Sequence, residues 1–327
     1  MITSSSNAKI KNIIALQKRP KERKEQGLFV VEGRKLVGEA PAGWISEVYV
    51  SESYATGLLY DESKDTADEV GQNASSGSQQ DARLKLQQDG TDREISSIKY
   101  EVLSDDLFAK VSDTRTPQGI LALVRMPSYE FSDLLGCHGR MITAVSTYTS
   151  TSESASACSE EDTILVHEAG KRQEQPLILV LEDIQDPGNL GTILRTAEGA
   201  GVTGVVMSRG TADVFNPKVV RSTMGSIYRV PFLIADDLAD VIRRLKSEGV
   251  KLYAAHLKGS ENYDVFGYCE ASGFMIGNEA NGLSDEIASL ADAYVRIPMC
   301  GQVESLNAAV SAALLSYEAA RQRRHEK

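Results

Sequence analysis

The chain has 327 residues, 42% of them hydrophobic, and a formal net charge of -11. Because a usual single domain has about 100 to 200 residues, two domains are expected. The longest apolar runs, such as Leu177–Leu181, fall far short of the roughly 20 residues that a membrane-spanning helix needs, so no membrane partner is expected.

Secretion and metal binding are not indicated either. The first residues turn polar and basic without an apolar segment, so we expect no signal peptide. The 4 cysteines lack C-x-x-C spacing, which argues against a zinc site and against a disulfide framework. We therefore expect a cytoplasmic protein that holds no metal.

Positive charge is concentrated at the start of the chain. Residues 1–24 carry seven Lys or Arg side chains against a single acid, a local balance of +6 that leaves -17 for the remainder. A basic surface for RNA phosphates can therefore coexist with an acidic whole. A solvated helix and loop would explain the same cluster equally well.

Residues 1–127 are expected to form a small domain that mixes helices and strands. Its predicted elements are an amphipathic stretch with Ile10, Ile13 and Ile14, a strand Leu28–Val31, a short helix after Gly33, a strand Val48–Val50, a helix capped by Ser104, and a β-rich run Ile120–Val124. Two polar tracts stand out by composition: residues 51–97, predicted as a mobile insertion, and residues 128–175, predicted as a linker with a short strand at Thr163–Val166 as an option.

Strands and helices alternate along residues 176–327. The predicted elements are strand Leu177–Leu181, a helix from Pro187, strand Val202–Met207, a helix from Pro217, helix Leu238–Glu248, strand Val250–Ala255, strand Phe274–Ile276, a helix begun at Ser284, strand Tyr294–Ile297 and a long final helix. This alternation predicts an α/β domain, a parallel sheet with helices on both faces.

Three segments that follow predicted strands carry polar side chains. In the first, residues 181–201, Asp186 and Pro187 start a helix and Gly201 ends it by local rules alone. Those rules leave Asn189 and Arg195 unexplained, since the other members of the helix are mostly small or apolar.

The second segment, residues 274–284, has Gly277 and Gly282 on either side of Glu279. Glycines let a backbone approach a ligand closely. A turn that leads into a helix capped by Ser284 is the simpler explanation of this segment taken alone.

In the third segment, residues 296–322, an apolar stripe recurs at helical spacing and is predicted to face the core. Its members are Leu306, Val310, Ala313, Leu314 and Tyr317. Ser305 and Asn307 stand near the start of that helix, where unpaired backbone N–H groups can receive polar ligand atoms.

In their order and spacing, the three segments resemble the SpoU (TrmH-like) family of RNA ribose 2′-O-methyltransferases. The resemblance extends over about 150 residues, from Leu177 to Gln322. The stretches Thr3–Ala40 and Asp113–Pro127 also resemble the RNA-binding domain that many members carry. The resemblance implies a deep trefoil knot in the C-terminal domain, which is otherwise nearly absent from proteins. It further implies SAM as cofactor, with contacts from Gly277, Ile297, Met299 and Leu306.

The resemblance also implies roles for the polar side chains. Arg195 would favour the negative charge that develops on the 2′-oxygen, because a guanidinium holds its proton in water and is therefore an unusual base. Asn189 would orient Arg195 or the ribose, and Glu279 would fix the arginine or the loop. Ser305 and Asn307 would hold the substrate or the SAM loop.

Family members are typically homodimers joined through their final helices, so Tyr317 and the apolar stripe would face a partner subunit. The expected substrate is RNA, ribosomal RNA before transfer RNA. This chain has Ala308-Ala309 where many members carry Val-Ser, which affects packing but leaves Asn307 in place.

Two other protein classes fit the sequence less well. A non-catalytic RNA-binding or ribosome-assembly factor of the same fold would not need the five polar side chains that this sequence retains. A dinucleotide-binding dehydrogenase would need a G-x-G-x-x-G motif after the first strand, which residues 186–191 do not supply.

Overall fold

The computed structural model describes residues 1–57, 84–88, 91–95, 99–136, 175–257, 259 and 261–325. Most of the two polar tracts lies outside these residues, as does the optional strand Thr163–Val166. Within the described part of the chain, the strands form a four-stranded sheet, a seven-stranded sheet and a two-stranded pair.

The four-stranded sheet belongs to the first half of the chain. The elements there are α1 (Ala8–Lys18), α2 (Pro20–Gln26), β1 (Leu28–Glu32), α3 (Arg34–Glu39), β2 (Ile45–Ser51), α4 (52–57), β3 (Leu84–Gln88), β4 (Thr91–Ile95), β5 (Tyr100–Leu103), α5 (Asp105–Val111), β6 (Ile120–Arg125) and α6 (Phe131–Leu134). The strand order is β1-β6-β2-β5, antiparallel except between β2 and β5. The predicted strands and helices are present here, within a few residues of their predicted ends.

Three details differ from the sequence-based expectation. The short strand β5 was not predicted, and Ser104 precedes α5 as expected but its side chain makes no capping hydrogen bond. The antiparallel pair of β3 and β4 lies inside the tract predicted to be a mobile insertion. The alternation of Leu84 and Leu86 with polar residues, followed by Asp89-Gly90, is typical of a hairpin and was outweighed by the polar composition around it.

The seven-stranded sheet belongs to the second half. Its elements are β7 (Leu177–Leu181), α7 (Pro187–Ala200), β8 (Gly204–Ser208), α8 (Pro217–Thr223), β9 (Phe232–Ala235), α9 (Leu238–Ser247), β10 (Lys251–Ala255), β11 (Glu261–Asn262), β12 (Ser272–Ile276), α10 (Asp285–Ala288), β13 (Ala293–Arg296) and α11 (Ala308–His325). The order is β11-β13-β10-β12-β7-β8-β9, with every neighbouring pair parallel. The expected parallel α/β sheet is confirmed; only the short strands β9 and β11 were not predicted.

One apolar core joins the two sheets. The rings of Phe29 in β1 and Phe215 before α8 lie 5.0 Å apart, and both belong to a buried cluster that also contains β7 and α7 side chains. The Tyr228 hydroxyl donates to the Leu36 carbonyl at 3.1 Å inside this core. The first sheet is therefore packed directly onto the α8 side of the second.

The final helix buries a different face from the one predicted. Its buried residues are mainly small, namely Ala308, Ala309, Ala312, Leu315, Ser316 and Ala319. The predicted core residues Val310, Leu314 and Tyr317 are 46%, 37% and 47% exposed, so the prediction of an inward-facing stripe is wrong. Because α11 packs along α7, its alanines permit an approach that larger side chains would prevent.

Helix α7 is held against α8 by a close contact at Gly191. A Cβ atom at this position would lie 2.4 Å from the Ser222 Cβ and 2.8 Å from the Val219 carbonyl oxygen. The contact fixes the helix that carries Asn189 and Arg195.

We expect Gly191→Ala to lower the free energy of unfolding by about 1 to 3 kcal/mol, because the added methyl group overpacks the α7 and α8 contact. Gly43→Ala is the matched control, since a methyl group added there would have nothing within 4 Å. Urea unfolding measures both variants. Equal stability of the two would contradict the assignment of a tight contact at Gly191.

Candidate active site

The candidate site lies at the edge of the seven-stranded sheet where the parallel strands end. Residues 182–189 follow β7, residues 277–283 follow β12, and residues 297–307 follow β13. Since all three strands run in the same direction, these segments emerge at one edge, which is where open α/β sheets bind ligands.

The segment after β12 is a closed loop of main chain. Asn278 and Gly282 exchange backbone hydrogen bonds of 3.0 and 2.9 Å. A Cβ atom at Gly277 would lie 2.0 Å from the Gly282 carbonyl carbon, so only glycine fits at this position. Gly277 thus approaches the backbone of its own loop, and its predicted approach to a ligand stays a prediction.

Asn278 is a site residue that the sequence analysis missed. Its Nδ2 donates to the Asp183 carbonyl at 2.8 Å, while its Oδ1 accepts from the backbone N–H of Ala280 at 2.8 Å. An Asn between two loop glycines is a familiar turn signal, since its side chain can bond the backbone two residues on. The side chain ties the 277–283 loop to the segment after β7.

Glu279 ties the same two segments together through three donors. Its carboxylate accepts from the backbone N–H groups of Gln185 at 3.0 Å and Asp186 at 3.1 Å, and from Asn189 Nδ2 at 2.9 Å. Partial burial opposes ionisation, but these hydrogen bonds outweigh it and lower the pKa of Glu279 below its ordinary value. Glu279 was expected to fix either the arginine or the loop, and these hydrogen bonds fix the loop.

Asn189 and Asn307 extend the connection to the third segment. Asn307 Nδ2 donates to Asn189 Oδ1 at 2.9 Å, and Asn307 Oδ1 accepts from the backbone N–H groups of Ala309 at 2.9 Å and Val310 at 3.3 Å. Asn307 therefore caps α11 while it holds α7. Glu279, Asn189 and Asn307 form one chain of hydrogen bonds across the three segments, which we call the site triad.

Asp186 starts the helix that carries this chain. It precedes Pro187 and accepts a hydrogen bond from the backbone N–H of Asn189 at 2.8 Å, as predicted for the N-cap of α7. The first turn of α7 is therefore fixed twice, by its own cap and by the site triad.

Arg195 stands apart from the site triad. It lies on α7 nearly two turns beyond Asn189, it is exposed, and its side chain makes no hydrogen bond or ion pair with any other described residue. Neither Glu279 nor Asn189 therefore contacts the guanidinium of Arg195, as two of the expected roles required.

The remaining predicted residues line the segment that leads to α11. Ile297 is partly buried against the main core, Met299 and Leu306 are half-buried, and Ser305 is exposed without a hydrogen bond inside the described ranges. Main-chain polar groups and half-buried apolar side chains fit SAM, whose adenine ring needs apolar contact and whose amino-acid end needs polar partners.

Metal ligands and membrane spans are not found among the residues that the structure describes. No group of three or more His, Cys, Asp or Glu side chains there is arranged to hold a metal ion. No helix in those same ranges is long and apolar enough to cross a bilayer.

Comparison with known proteins identifies the family. Residues 176–317 match the SpoU rRNA methylase family, and residues 7–122 match an MRM3-like substrate-binding domain. A relative from Bacillus subtilis (strain 168), the 23S rRNA (guanosine(2553)-2'-O)-methyltransferase RlmP, is 30% identical over 319 residues, which are 97% of this chain and 97% of the relative. The chain belongs to the SpoU rRNA methylase family.

Solved structures agree with this assignment. The AdoMet-bound rRNA methyltransferase from Sinorhizobium meliloti is 25% identical with a TM-score of 0.69, over 99% of this chain and 97% of that one. The SpoU methyltransferase AviRb from Streptomyces viridochromogenes, 22% identical with a TM-score of 0.69 over 98% and 99% of the two chains, shares the fold. The family resemblance, the α/β fold class, RNA 2′-O-methyltransferase activity and SAM as cofactor are thereby confirmed. The trefoil knot stays a prediction.

The site triad generates a pH-dependent prediction. Because the pKa of Glu279 is lowered in the folded protein, its ionised form stabilises the fold above the ordinary pKa of about 4.5 that the carboxyl has in the unfolded chain. That contribution is lost as the pH falls through the lower folded pKa. Glu279→Gln should therefore cost about 1 kcal/mol at pH 7, a low value for a charged hydrogen-bond acceptor because solvent screens it.

The measurement is the free energy of unfolding from pH 7 down to about pH 3, where the difference between Glu279→Gln and the unsubstituted protein should shrink towards zero. Glu286→Gln, an exposed neighbour on α10, is the control. A difference that stays constant across this range would show that the Glu279 carboxylate is not held in its charged form by these donors.

Proposed function

We propose that this chain methylates a ribose 2′-hydroxyl of ribosomal RNA, with Arg195 as the catalytic cation and the site triad as the frame that holds the three loops. One contrast supports the proposal. Glu279, Asn189 and Asn307 hold the three loops together, whereas the Arg195 guanidinium, on the helix that they fix, has no partner in the described chain. A fixed frame with a cation near developing charge is what methyl transfer to an oxygen requires.

The reaction forms a bond between the 2′-oxygen and the methyl carbon while the bond from that carbon to sulfur breaks. When bound, SAM supplies a methyl group already activated by its sulfonium. Arg195 offsets the negative charge that grows on the 2′-oxygen, and it keeps its own proton because a guanidinium is not deprotonated in proteins. The hydroxyl proton leaves to water or to an RNA phosphate.

The loops would divide the binding of SAM among them. Gly277, Ile297, Met299 and Leu306 would contact the cofactor through main chain and apolar side chains. Ser305, whose hydroxyl has no partner within the described chain, would hold either the cofactor or the ribose. Asn189 acts as a positioning residue, because both ends of its amide are already engaged by Glu279 and Asn307.

Ribosomal RNA is favoured as the substrate over transfer RNA. The relative that matches 97% of this chain is named for 23S rRNA, and residues 7–122 match a substrate-binding domain. Most of the basic cluster in residues 1–24 is exposed and suits a polyanion, although Arg23 is buried in an ion pair and is lost to such a surface. A ribosomal RNA substrate agrees with the cytoplasmic location expected from the sequence.

A homodimer through α11 is the second part of the proposal. Val310, Leu314 and Tyr317 project from one face of α11 and remain 37% to 47% exposed. Apolar side chains that are exposed in a single chain and repeat along one helix face are typical of a surface that a partner protein covers. A second copy of this chain would cover them, next to the α7 helix that carries Arg195.

Arg195→Ala should lower kcat for methyl transfer to RNA by more than about 100-fold, because the transition-state charge loses its partner. SAM affinity, measured by calorimetry, should change less than about twofold, since Arg195 is not among the proposed cofactor contacts. Arg243→Ala on the outer helix α9 serves as the control. Near-normal turnover by Arg195→Ala would reject the role; RNA binding without turnover by the unsubstituted protein would favour a non-catalytic assembly factor.

Leu314→Asp should convert a dimer into a monomer, because it places a charge inside a desolvated apolar contact. A rise in the dissociation constant of at least about 30-fold is expected, as for a central interface residue. Sedimentation velocity at several protein concentrations measures it, with Met224→Asp, an exposed apolar position outside α11, as control. An unsubstituted protein that sediments as a monomer at all concentrations would contradict the dimer.

A further inference from the structure

A cleft of about 600 Å³ lies between α2 and the carboxyl ends of β8 and β9, apart from the residues assigned to the candidate active site. Lys24 lines it from α2. Ser208, Arg209 and Thr211 line it from the end of β8 and the segment after it, and Ile234 and Asp236 line it from β9 and the segment that follows. A volume of this size is typical of small-molecule and nucleotide pockets.

The wall formed by α2 is fixed from inside by Arg23. This side chain is 1% exposed; its Nη1 donates to the carbonyls of Leu16 at 2.5 Å and Gln17 at 2.9 Å, and its Nε donates to Asp213 Oδ2 at 3.1 Å. Breaking a buried ion pair is costly, because it leaves an uncompensated charge. The neighbouring Lys24 is therefore carried on a helix with a fixed position over the cleft.

The opposite wall is continuous with the candidate active site. Gln185 Nε2 donates to the Gly210 carbonyl at 2.8 Å, and the Ala212 N–H donates to the Ile184 carbonyl at 2.8 Å. The backbone N–H of the same Gln185 donates to Glu279 of the site triad. One strip of chain, residues 183–186, thus separates the cleft from the proposed catalytic machinery.

The side chains in the cleft suit a nucleotide. Among the described residues, Lys24 makes no ion pair, and Arg209 pairs with Asp236 alone, in a pair whose side chains are 69% and 82% exposed. Such an exposed pair contributes little and can exchange its carboxylate for a phosphate. Ile234 is 45% exposed and offers an apolar surface on which a base can lie, beside a planar guanidinium.

We infer that this cleft receives one unpaired nucleotide of the RNA substrate, a close neighbour of the methylated nucleotide. The inference rests on the proposed function, because the ligand is part of the RNA that the catalytic site acts on. A base inside a duplex cannot leave its partner to enter such a cleft without cost, whereas a loop nucleotide can be splayed out. The cleft therefore selects a single-stranded region as the substrate.

The test compares the double variant K24A/R209A with the control K110A/R243A, in the full chain. The control removes one Lys and one Arg from exposed positions on α5 and α9 that do not line the cleft. Substrate is unmethylated 23S rRNA transcript. K24A/R209A should raise KM for this RNA about 10-fold with kcat within twofold, and the slope of log affinity against log salt should fall by about 2. The control should match the unsubstituted protein, and melting temperatures should agree for all three.

Photocrosslinking reports occupancy independently of turnover. A fluorescent 23S rRNA fragment with 4-thiouridine at unpaired positions should crosslink to residues 207–213 or 234–236, and the double variant should lose that crosslink. The inference would be overturned if K24A/R209A left both KM and the crosslink unchanged. It would also be overturned if millimolar nucleoside monophosphate displaced the crosslink without any change in the KM for RNA. If the unsubstituted protein methylates no RNA, the proposed function fails. Fluorescence anisotropy of the labelled RNA fragment and its crosslinks still decide whether RNA enters the cleft.

Discussion

The candidate active site depends on one carboxylate, that of Glu279. Three donors from residues 185–189, just before α7 and in its first turn, converge on it. One of them, Asn189, connects it to Asn307 and α11. Without this acceptor, the 277–283 loop would lose three hydrogen bonds to residues 185–189 and would keep the one that Asn278 donates to the Asp183 carbonyl. Fixed loops matter in methyl transfer, because the gain comes from holding donor and acceptor in line rather than from making a stronger nucleophile. The guanidinium of Arg195 takes no part in these hydrogen bonds, which agrees with the proposal that it meets the reacting oxygen.

Much of this architecture could be predicted from the sequence, because its signals are local. Asp186 and Pro187 start α7, Gly201 ends it in a left-handed conformation, and Ser284 caps α10, as sequence rules require. Strand β7 is uniformly apolar because both of its faces are covered. The residue types of the candidate site were also visible, since neither capping nor core packing explains an Asn and an Arg on α7.

The connections between those residues could not be predicted. Glu279 and Asn189 are 90 positions apart, and only the folded sheet shows that the carboxylate bonds the amide rather than the arginine. Helix α11 exposed a different limit: apolar periodicity marks a stripe without showing whether large or small side chains face inward. Close packing against α7 selected the alanines and left Leu314 outside. The strand pair near Leu84 was missed because a polar composition was given more weight than alternation.

The apolar core that Phe29 and Phe215 share across the two sheets has a mechanical consequence. It sets the separation between the half that would grip RNA and the half that would modify it when the chain folds, before any RNA arrives. The distance from the bound RNA element to the modified sugar would then be set by the protein and would not depend on closure around the RNA. A ribose at the wrong distance from the bound RNA element would not reach the active site, whatever its base. Substrate selectivity can therefore come from this distance as well as from chemical recognition of the base.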